Sequence, residues 1–279
     1  MLERALFLEA GGSRRFAVFH GTAATPQTVW VFCHPFGEEK LWTHRVMVTT
    51  ARALAAAGQP VLRFDHFGHG DSDGTFDASS VETSLSDIDA MIAHARHLAA
   101  VPRAALFGLR WGATMAALAA ENREDVDALA LWAPLTSGAR YFQDLMRVNL
   151  ATQMTVYKEI RQDRAALVEG MRAGHVVNVD GYPLSLPHYE QASAIDLLAG
   201  PKRFAGRCLV GQIDRQEGAP PQADLTKLAS LYPSATRVAV REEPFWKEIP
   251  QFYDTAPRLL QATLAWASPP IGERTLAPC

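Results

Sequence analysis

Cysteine is scarce in this sequence, with only Cys33, Cys208 and Cys279 among 279 residues. Three widely separated thiols form neither a disulfide framework nor the close pairs of a zinc site, and such sparse usage fits a reducing compartment. Long apolar runs are missing too: none approaches the roughly 20 residues that cross a bilayer, and the N-terminal run is too short for a signal peptide. We therefore expect a cytoplasmic protein without membrane insertion, metal or other cofactor.

A large excess of charge of either sign is also lacking. The formal net charge is −3, charged residues make up 20% of the chain and hydrophobic residues 48%, which is the balance of an ordinary globular protein. Because no basic excess would attract a polyanion, we expect no nucleic-acid partner. Nothing in the composition indicates an oligomeric state.

What the sequence does contain is a regular alternation of strands and helices. Gly11 and Gly12 separate two alternating segments and predict an initial hairpin. Beyond it, continuous apolar runs predict strands buried on both faces, each followed by a helical segment. This order predicts an α/β fold with a mostly parallel sheet flanked by helices. The predicted strands cover 5–9, 15–20, Thr28–Cys33, 60–64, 103–107, 126–131, 208–211 and 236–240, and the predicted helices cover 43–57, 80–99, 113–121, 225–231 and 256–267.

The alternation is interrupted after Pro134. Residues 137–203 contain helical stretches and one irregular segment but no buried strand, which predicts an inserted helical cap. The predicted organisation is a core of residues 1–136 and 204–268, a cap of residues 137–203 and a loose tail of residues 269–279. Open α/β sheets bind ligands beyond the carboxyl ends of their strands, so we expect a pocket there, under the cap.

A Gly-x-x-x-Gly segment, Gly108-Leu109-Arg110-Trp111-Gly112, links a predicted strand to a predicted helix. This context is typical of a nucleophile elbow, whose middle residue adopts a strained left-handed backbone. Glycines two residues to either side prevent collisions around that turn. The elbow pattern therefore predicts that Arg110 stands where such an elbow usually carries a serine.

Four further segments match the order of parts in the α/β-hydrolase fold. His34-Pro35-Phe36-Gly37 resembles the oxyanion loop, and the Gly-rich loop of residues 65–72 resembles the loop after the next strand. Trp132-Ala133-Pro134 stands where a cap begins, and Asp214 follows the strand that usually bears the triad acid. The sequence is thus similar to the α/β-hydrolases over nearly the whole chain outside the cap.

A narrower resemblance is carried by five short motifs. They are His-Pro-Phe-Gly-Glu-Glu, Gly-Leu-Arg-x-Gly-Ala, Leu-Trp-Ala-Pro, Gly-Tyr-x-Leu-Ser and Glu-Pro-Phe-Trp, at residues 34–39, 108–113, 131–134, 181–185 and 243–246. Together they resemble the second family of exosortase-A-system-associated hydrolases. That resemblance implies a bacterial protein connected with exopolysaccharide and PEP-CTERM sorting systems.

Two of the three positions of a Ser-His-acid triad depart from the hydrolase pattern. Arg110 is always protonated and has no usable lone pair, so it cannot attack a carbonyl. The triad histidine should follow the last strand, but no histidine lies beyond His188, and residues 242–246 read Glu-Glu-Pro-Phe-Trp. The sequence therefore argues against a serine-type hydrolase.

Arg110 has two interpretations. At a helix N-terminus it could bind a carboxylate or phosphate, because the helix dipole and its own charge attract an anion. It could instead form an internal salt bridge with Asp214, Glu38 or Glu243, because a buried guanidinium must be paired. Both could hold if a ligand competes with the internal carboxylate.

The other candidate residues also have structural alternatives. Asp214 could be an inherited triad acid or simply a loop residue, and His34 a base or a loop histidine. Glu38 and Glu39 could line the pocket mouth or face water. Trp111 and Phe245-Trp246 could wall a pocket or belong to the core. The predicted binding residues are Arg110, Trp111, His34, Phe36, Gly37, Glu38, Asp214 and Glu243, and no residue is assigned as catalytic.

Two functions remain open from the sequence. The first is a hydrolase or acyltransferase of acyl or polysaccharide-related substrates, in which Arg110 and oxyanion N–H groups stabilise charge while a carboxylate such as Glu38 acts as base. The second is a non-catalytic binder or assembly factor that holds an anionic ligand, or a carboxylate of a partner, at Arg110. The hydrolase-like fold favours the first and the missing Ser-His pair favours the second.

Overall fold

The computed structural model describes residues 2–121, 123–249 and 252–267. The predicted tail of residues 269–279, which includes Cys279, lies outside the described residues. Within them, eight strands form one sheet. In spatial order they are β1 (Glu3–Ala10), β2 (Ser13–His20), β4 (Val61–Phe64), β3 (Thr28–Cys33), β5 (Arg103–Leu109), β6 (Val126–Trp132), β9 (Arg207–Asp214) and β10 (Ala235–Arg241). β2 pairs antiparallel with both β1 and β4, and all the other pairs are parallel. The predicted α/β-hydrolase fold is thereby confirmed.

The elements follow the predicted alternation closely. The helices that accompany the strands of the large sheet are α1 (Glu38–Ala56), α2 (Val81–Ala99), α3 (Trp111–Ala120), α7 (Ala223–Ser230) and α8 (Pro257–Ala267), and a short 3₁₀ helix covers Phe76–Ala78.

Two apolar cores enclose the sheet, one on each face. Alternate residues of a strand point to opposite faces, so Val31 of β3 packs with α2 and α3 while Phe32 packs with α1. The core on the α1 side also takes in α8 and the segment that contains Phe245 and Trp246. Burial on both faces explains why the central strands are continuous apolar runs.

Between β6 and β9 the chain forms three helices and a small hairpin. These elements are α4 (Gly138–Tyr157), α5 (Arg164–Arg172), β7 (Val177–Val179), β8 (Tyr182–Leu184) and α6 (Leu186–Ser193). α4 packs on α6, and α6 also contacts α2 of the core. The irregular segment predicted here is thus an antiparallel hairpin, while the cap boundaries at residues 137 and 203 stay a prediction.

One boundary differs by a full turn of helix and affects the site. A loop was predicted through Glu39 and a helix from residue 43, whereas α1 begins at Glu38. Gly37, with φ 55°, turns the chain directly from the loop into the helix, which a residue with a side chain would do only under strain. Glu38 and Glu39 therefore lie in the first turn of α1, where negative charge is favourable.

Candidate functional site

The turn between β5 and α3 has the geometry of a nucleophile elbow. Arg110 caps α3 with φ 55° and ψ −120°, a left-handed backbone that is uncommon for a residue with a side chain. A Cβ on Gly108 would lie 2.4 Å from Cα of Ala113, and one on Gly112 would lie 2.1 Å from the carbonyl oxygen of Cys33. The predicted role of both glycines is confirmed: they let strand, turn and helix approach closely.

The Arg110 side chain reaches across to the first turn of α1. Its Nε and Nη2 donate to Oε1 of Glu39 at 3.3 and 3.1 Å, and the two side chains are only 18% and 14% exposed. An internal salt bridge was one of the two predicted interpretations, but its partner is Glu39 rather than Asp214, Glu38 or Glu243. No described residue accepts a hydrogen bond from Nη1 of Arg110.

Two aromatic side chains complete the surroundings of this ion pair. The Arg110 guanidinium carbon lies 4.8 Å from the ring centre of Trp246, a cation–π contact. Tyr141 of α4 lines the same cavity, and burial together with the neighbouring Glu39 carboxylate raises the pKa of its hydroxyl. Burial raises the pKa of Glu39, while the charge of Arg110 and its hydrogen bonds to the carboxylate oppose that rise.

An open cavity of about 330 Å³ lies above Arg110. Arg110, Glu39 and Tyr141 line its inner part, the start of α4 and the loop before it line a side, and Lys247 lies at the rim. The other cations on the wall have acidic partners: Arg140 pairs with Asp224 at 3.0 Å, and Arg147 with Asp144 at 2.8 Å. The functional interpretations of Arg110 required that it face a cavity, and the structure meets that requirement.

The predicted oxyanion loop lies beneath this cavity and is largely buried. Phe36 packs against Phe76, Phe142 and His188. A side chain on Gly37 would touch the ring of Tyr182 at 3.5 Å. These loop residues position α1, and their side chains do not line the cavity at Arg110.

His34 and Trp111 belong to a separate, enclosed space of about 20 Å³. His34 lines it together with His66, His69 and His188. Burial lowers the pKa of His34 well below its ordinary value and that of His69 to about 3. Trp111 stacks on Tyr141, with ring centres 5.5 Å apart and an angle of 15°, so it supports the site from below.

The remaining predicted residues have partners other than Arg110. Glu38 accepts a hydrogen bond from the Tyr182 hydroxyl at 2.8 Å. Asp214 ends β9 and accepts the backbone N–H of Gln216 at 2.9 Å, which is the loop role allowed by the sequence. Glu243 pairs with Arg215 at 2.6 Å. Of the eight predicted binding residues, Arg110 alone is recorded among the side chains that line the 330 Å³ cavity.

Sequence reasoning missed Tyr141 and Lys247. It weighed Glu39 only as a residue of the pocket mouth or the surface, not as the partner of Arg110, and Trp246 only as a wall. A signal for Glu39 existed, since an acidic pair directly after a glycine is typical of a helix start. No sequence pattern marks Tyr141, because its position depends on how the cap folds back over the core. Among the described residues, no group of three or more potential ligands could hold a metal ion, and no helix is long and apolar enough to cross a membrane.

The sheet order, the elbow and the inserted helices together define a protein of the α/β-hydrolase fold. Comparison with protein families assigns the chain to one family within this fold. The chain belongs to the family Hydrolase_4, described as serine aminopeptidase, S33, whose model matches residues 24–178. Among curated proteins no sequence matches this chain significantly.

Solved structures with low sequence identity share the fold. The chain is similar to Est1E from Butyrivibrio proteoclasticus in its complex with ferulic acid, with 18% identity, a TM-score of 0.64 and coverage of 94% of this chain and 97% of Est1E. It is also similar to α/β-hydrolase domain-containing protein 10 from mouse, with 15% identity, a TM-score of 0.57 and coverage of 94% and 96%. The esterase PF2001 of Pyrococcus furiosus has 12% identity, a TM-score of 0.59 and coverage of 86% and 82%. At these identities the likeness concerns the fold alone.

Proposed function

We propose that this protein uses its elbow to bind an anionic ligand at Arg110, without forming a covalent acyl-enzyme. The observation that carries the proposal is the position of the guanidinium, fixed by the elbow backbone at the base of an open cavity. A permanently charged group at the N-terminus of α3 adds to the positive end of the helix dipole, so both attract an anion.

The pairing of Arg110 with Glu39 is compatible with ligand binding. Nε and Nη2 are engaged by Oε1 of Glu39, which leaves Nη1 available to a carboxylate or phosphate oxygen. Lys247, at the rim of the same cavity, has no described carboxylate within salt-bridge distance and adds a second positive charge. A ligand could therefore bind beside Glu39 or compete with it.

The surroundings of Arg110 also argue against the mechanism of a serine hydrolase. A serine hydrolase needs a nucleophile hydrogen-bonded to a histidine. Here the residue that packs on Arg110 from the segment after the last strand is Trp246, and the sequence has no histidine beyond His188. Trp246 can hold a cation in place by its ring face but cannot accept a proton.

For the ligand we propose a small anion of the acyl or polysaccharide-related class. Two sources support this class: the motifs shared with exosortase-associated hydrolases, and the ferulic acid, a carboxylic acid, bound by Est1E. The same motifs support an association with bacterial exopolysaccharide systems, and the sparse cysteines support a cytoplasmic location.

A second candidate function is a hydrolase or acyltransferase in which Glu39 acts as a general base on water or a second substrate. The raised pKa of this buried carboxyl favours it, because a general base works best when its pKa approaches the working pH. Arg110 and the first N–H groups of α3 would then stabilise the developing oxyanion.

Calorimetric titration with acetate, ferulate, phosphate and sulfate tests the binding proposal. We expect Arg110→Gln to weaken binding of whichever anion the wild type binds at least about tenfold, because a hydrogen bond to a charged group is lost. Arg147→Gln, which changes an exposed arginine on the wall of the same cavity, is the matched control and should bind normally. Equal affinity of Arg110→Gln and wild type would exclude an anion site at the elbow.

A screen of ester, thioester and carbohydrate-ester hydrolysis separates the two candidates. No turnover by wild type, together with anion binding that depends on Arg110, supports the binder. Turnover that is lost in Glu39→Gln supports the enzyme. Under both candidate functions a serine-directed fluorophosphonate should leave the protein unlabelled. Labelling of any serine would therefore contradict both.

A further inference from the structure

A second, larger cavity of about 630 Å³ opens on the other side of the first turns of α1. One wall is a single helix face: Glu38, Leu41, Trp42 and Arg45 follow the spacing i, i+3, i+4, i+7. The opposite wall comes from the segment after β10 and includes Lys247, Ile249 and Phe252. We call this cavity the α1 groove. Its volume is in the range of small-molecule sites.

The walls of the α1 groove are apolar side chains left exposed to water. Leu41 is 63% exposed and Phe252 84% exposed, and Trp42 is exposed as well. A single exposed leucine is unremarkable, but several large apolar side chains around one concave space indicate a binding site. The groove therefore fits an aliphatic or aromatic group.

The α1 groove meets the Arg110 cavity at Lys247, which lines both. Glu38 and Glu39, neighbours in the chain, likewise face one cavity each. A row of aromatic rings connects the two sites: Tyr253 stacks on Phe245 at 5.8 Å, Phe245 contacts Trp246 at 5.6 Å, and Trp246 covers Arg110. The two cavities are thus neighbours, with Lys247 lining both.

Charge is distributed unevenly along these two cavities. Lys247 forms no salt bridge within the described part of the chain, and it adds a positive charge beside the Arg110–Glu39 pair. Glu38 and Arg45 place one charge of each sign on the groove wall, whereas Leu41, Trp42 and Phe252 give it an apolar surface. The junction at Lys247 therefore favours negative charge, and the apolar surface favours an uncharged chain. A molecule that satisfies both ends must be amphiphilic.

We propose that the α1 groove binds the apolar part of an amphiphilic anion, such as a medium-chain fatty carboxylate, whose charged end reaches Lys247 and Arg110. This inference rests on the proposed anion site and specifies the class of its ligand. Lys247, which lines both cavities, attracts the anionic head group. Leu41 and Trp42 contact the apolar chain, so they determine which chain length binds best.

Calorimetric titration with acetate, hexanoate, octanoate and decanoate, all below their micellar concentrations, tests the inference. Burial of one methylene strengthens binding up to about fourfold, so affinity should rise steeply along the series until the groove is filled. Leu41→Ser should weaken decanoate binding several-fold and leave acetate binding unchanged. The matched control is Val156→Ser, because Val156 on α4 is 61% exposed, like Leu41, but lies outside the groove.

The variants separate this inference from the proposed function. If acetate binding depends on Arg110 but decanoate binds no more tightly than acetate, the anion site stands and the α1 groove is not part of it. If affinity rises with chain length and falls in Leu41→Ser but is unchanged in Arg110→Gln and Lys247→Met, the groove binds apolar chains and the head-group assignment is wrong. Self-association that Leu41→Ser abolishes would assign the groove to a second copy of the chain and overturn the ligand proposal.

Discussion

At the scale of single residues, Arg110 combines two unfavourable features. Its left-handed backbone, with φ 55°, costs on the order of 1–3 kcal/mol, and its guanidinium is largely removed from water. Glu39 and Trp246 compensate for the second feature through an ion pair and a cation–π contact. The elbow backbone therefore carries a charged side chain at its centre, and its stability depends on side chains from α1 and from the segment after β10.

Truncation of Arg110 should destabilise the protein mainly through Glu39. Breaking a buried ion pair by removing one partner costs roughly 3–5 kcal/mol, and the partial exposure of this pair places the expected loss at the lower end for Arg110→Ala. Adding Glu39→Gln should restore part of the loss, because no unpaired charge is then buried. Urea unfolding measures both. Additive losses in the double variant would show that the two side chains are not coupled.

Trp246 should contribute to anion binding by holding the guanidinium in place. Trp246→Leu removes a cation–π contact worth about 0.5–2 kcal/mol, so we expect acetate to bind roughly two- to thirtyfold more weakly. The matched control is Trp266→Leu, because Trp266 makes a similar contact with Arg207 at 4.9 Å far from the elbow in the chain. Titration calorimetry should show normal acetate binding in the control.

At the scale of elements, the predictable parts were those with a periodic apolar pattern. The buried strands carried such a pattern, and β3 matches its predicted bounds of Thr28–Cys33. The start of α1 carries no such pattern, because the helix begins directly after the turn at Gly37. The sequence did carry a signal for the hairpin of β7 and β8, because an Asp-Gly pair such as Asp180-Gly181 is a strong turn signal. In the structure these two residues adopt the positive φ angles of that turn, 52° and 92°.

The partner of Arg110 could not be chosen from the sequence for a related reason. Predicting a loop through Glu39 left the direction of its side chain undefined, so Glu38, Asp214 and Glu243 were equally reasonable carboxylates. Once α1 begins at Glu38, consecutive residues point about 100° apart around the helix. Glu39 then faces the elbow while Glu38 faces Tyr182.

The close approach of α3 to β3 should make Gly112 irreplaceable. Gly112→Ala would place a Cβ 2.1 Å from a backbone oxygen of Cys33, so the helix must shift, and we expect a large loss of stability despite the better helix propensity of alanine. Gly200→Ala is the control, since a Cβ there meets no atom within 4 Å. Thermal unfolding should show a normal midpoint for the control. A normal midpoint for Gly112→Ala would contradict the elbow packing.

At the scale of the whole molecule, a cluster of histidines connects the loop after β3 with the loop after β4 and with α6. His34 follows β3, His66 and His69 lie in the loop after β4, and His188 belongs to α6. Burial lowers the pKa of His188 to about 4 and that of His69 to about 3. The low pKa values keep the buried rings of His34, His69 and His188 neutral, and protonating them would place positive charge between α6 and the core.

Stability should therefore fall as the pH falls. In the unfolded chain His34, His69 and His188 titrate near pH 6.5, whereas in the folded protein their lowered pKa values leave them with fewer protons. Their contribution to stability is therefore complete above about pH 6.5 and is lost progressively toward about pH 4. His188→Gln should reduce the difference in urea midpoint between about pH 7 and about pH 5. The exposed His175 offers a control, because His175→Gln should keep the slope of the wild type. An unchanged slope in His188→Gln would contradict this account.

The fold was more accessible to prediction than the site for a physical reason. Sheet order and helix placement follow from apolar periodicity, which can be recognised within short stretches of the sequence. The site joins side chains from α1, the elbow, α4 and the segment after β10, and these contacts form only after the sheet and the cap are assembled. Tyr141 and Lys247 are typical of such residues, since neither carries a local signal.

The ion pair between Arg110 and Glu39 makes ligand binding a proton-linked equilibrium. An anion that occupies Arg110 weakens the charge that opposes the raised pKa of Glu39, so that pKa rises further and the carboxyl takes up a proton. Sulfate, which does not titrate near neutrality, should then bind more tightly as the pH falls through the range in which the Glu39 carboxyl takes up its proton. Calorimetry in two buffers of different ionisation enthalpy should register the uptake in the wild type and its disappearance in Glu39→Gln. Each anion that binds at Arg110 would thus bring a proton from the solvent onto the Glu39 carboxyl, and each anion that leaves would release it.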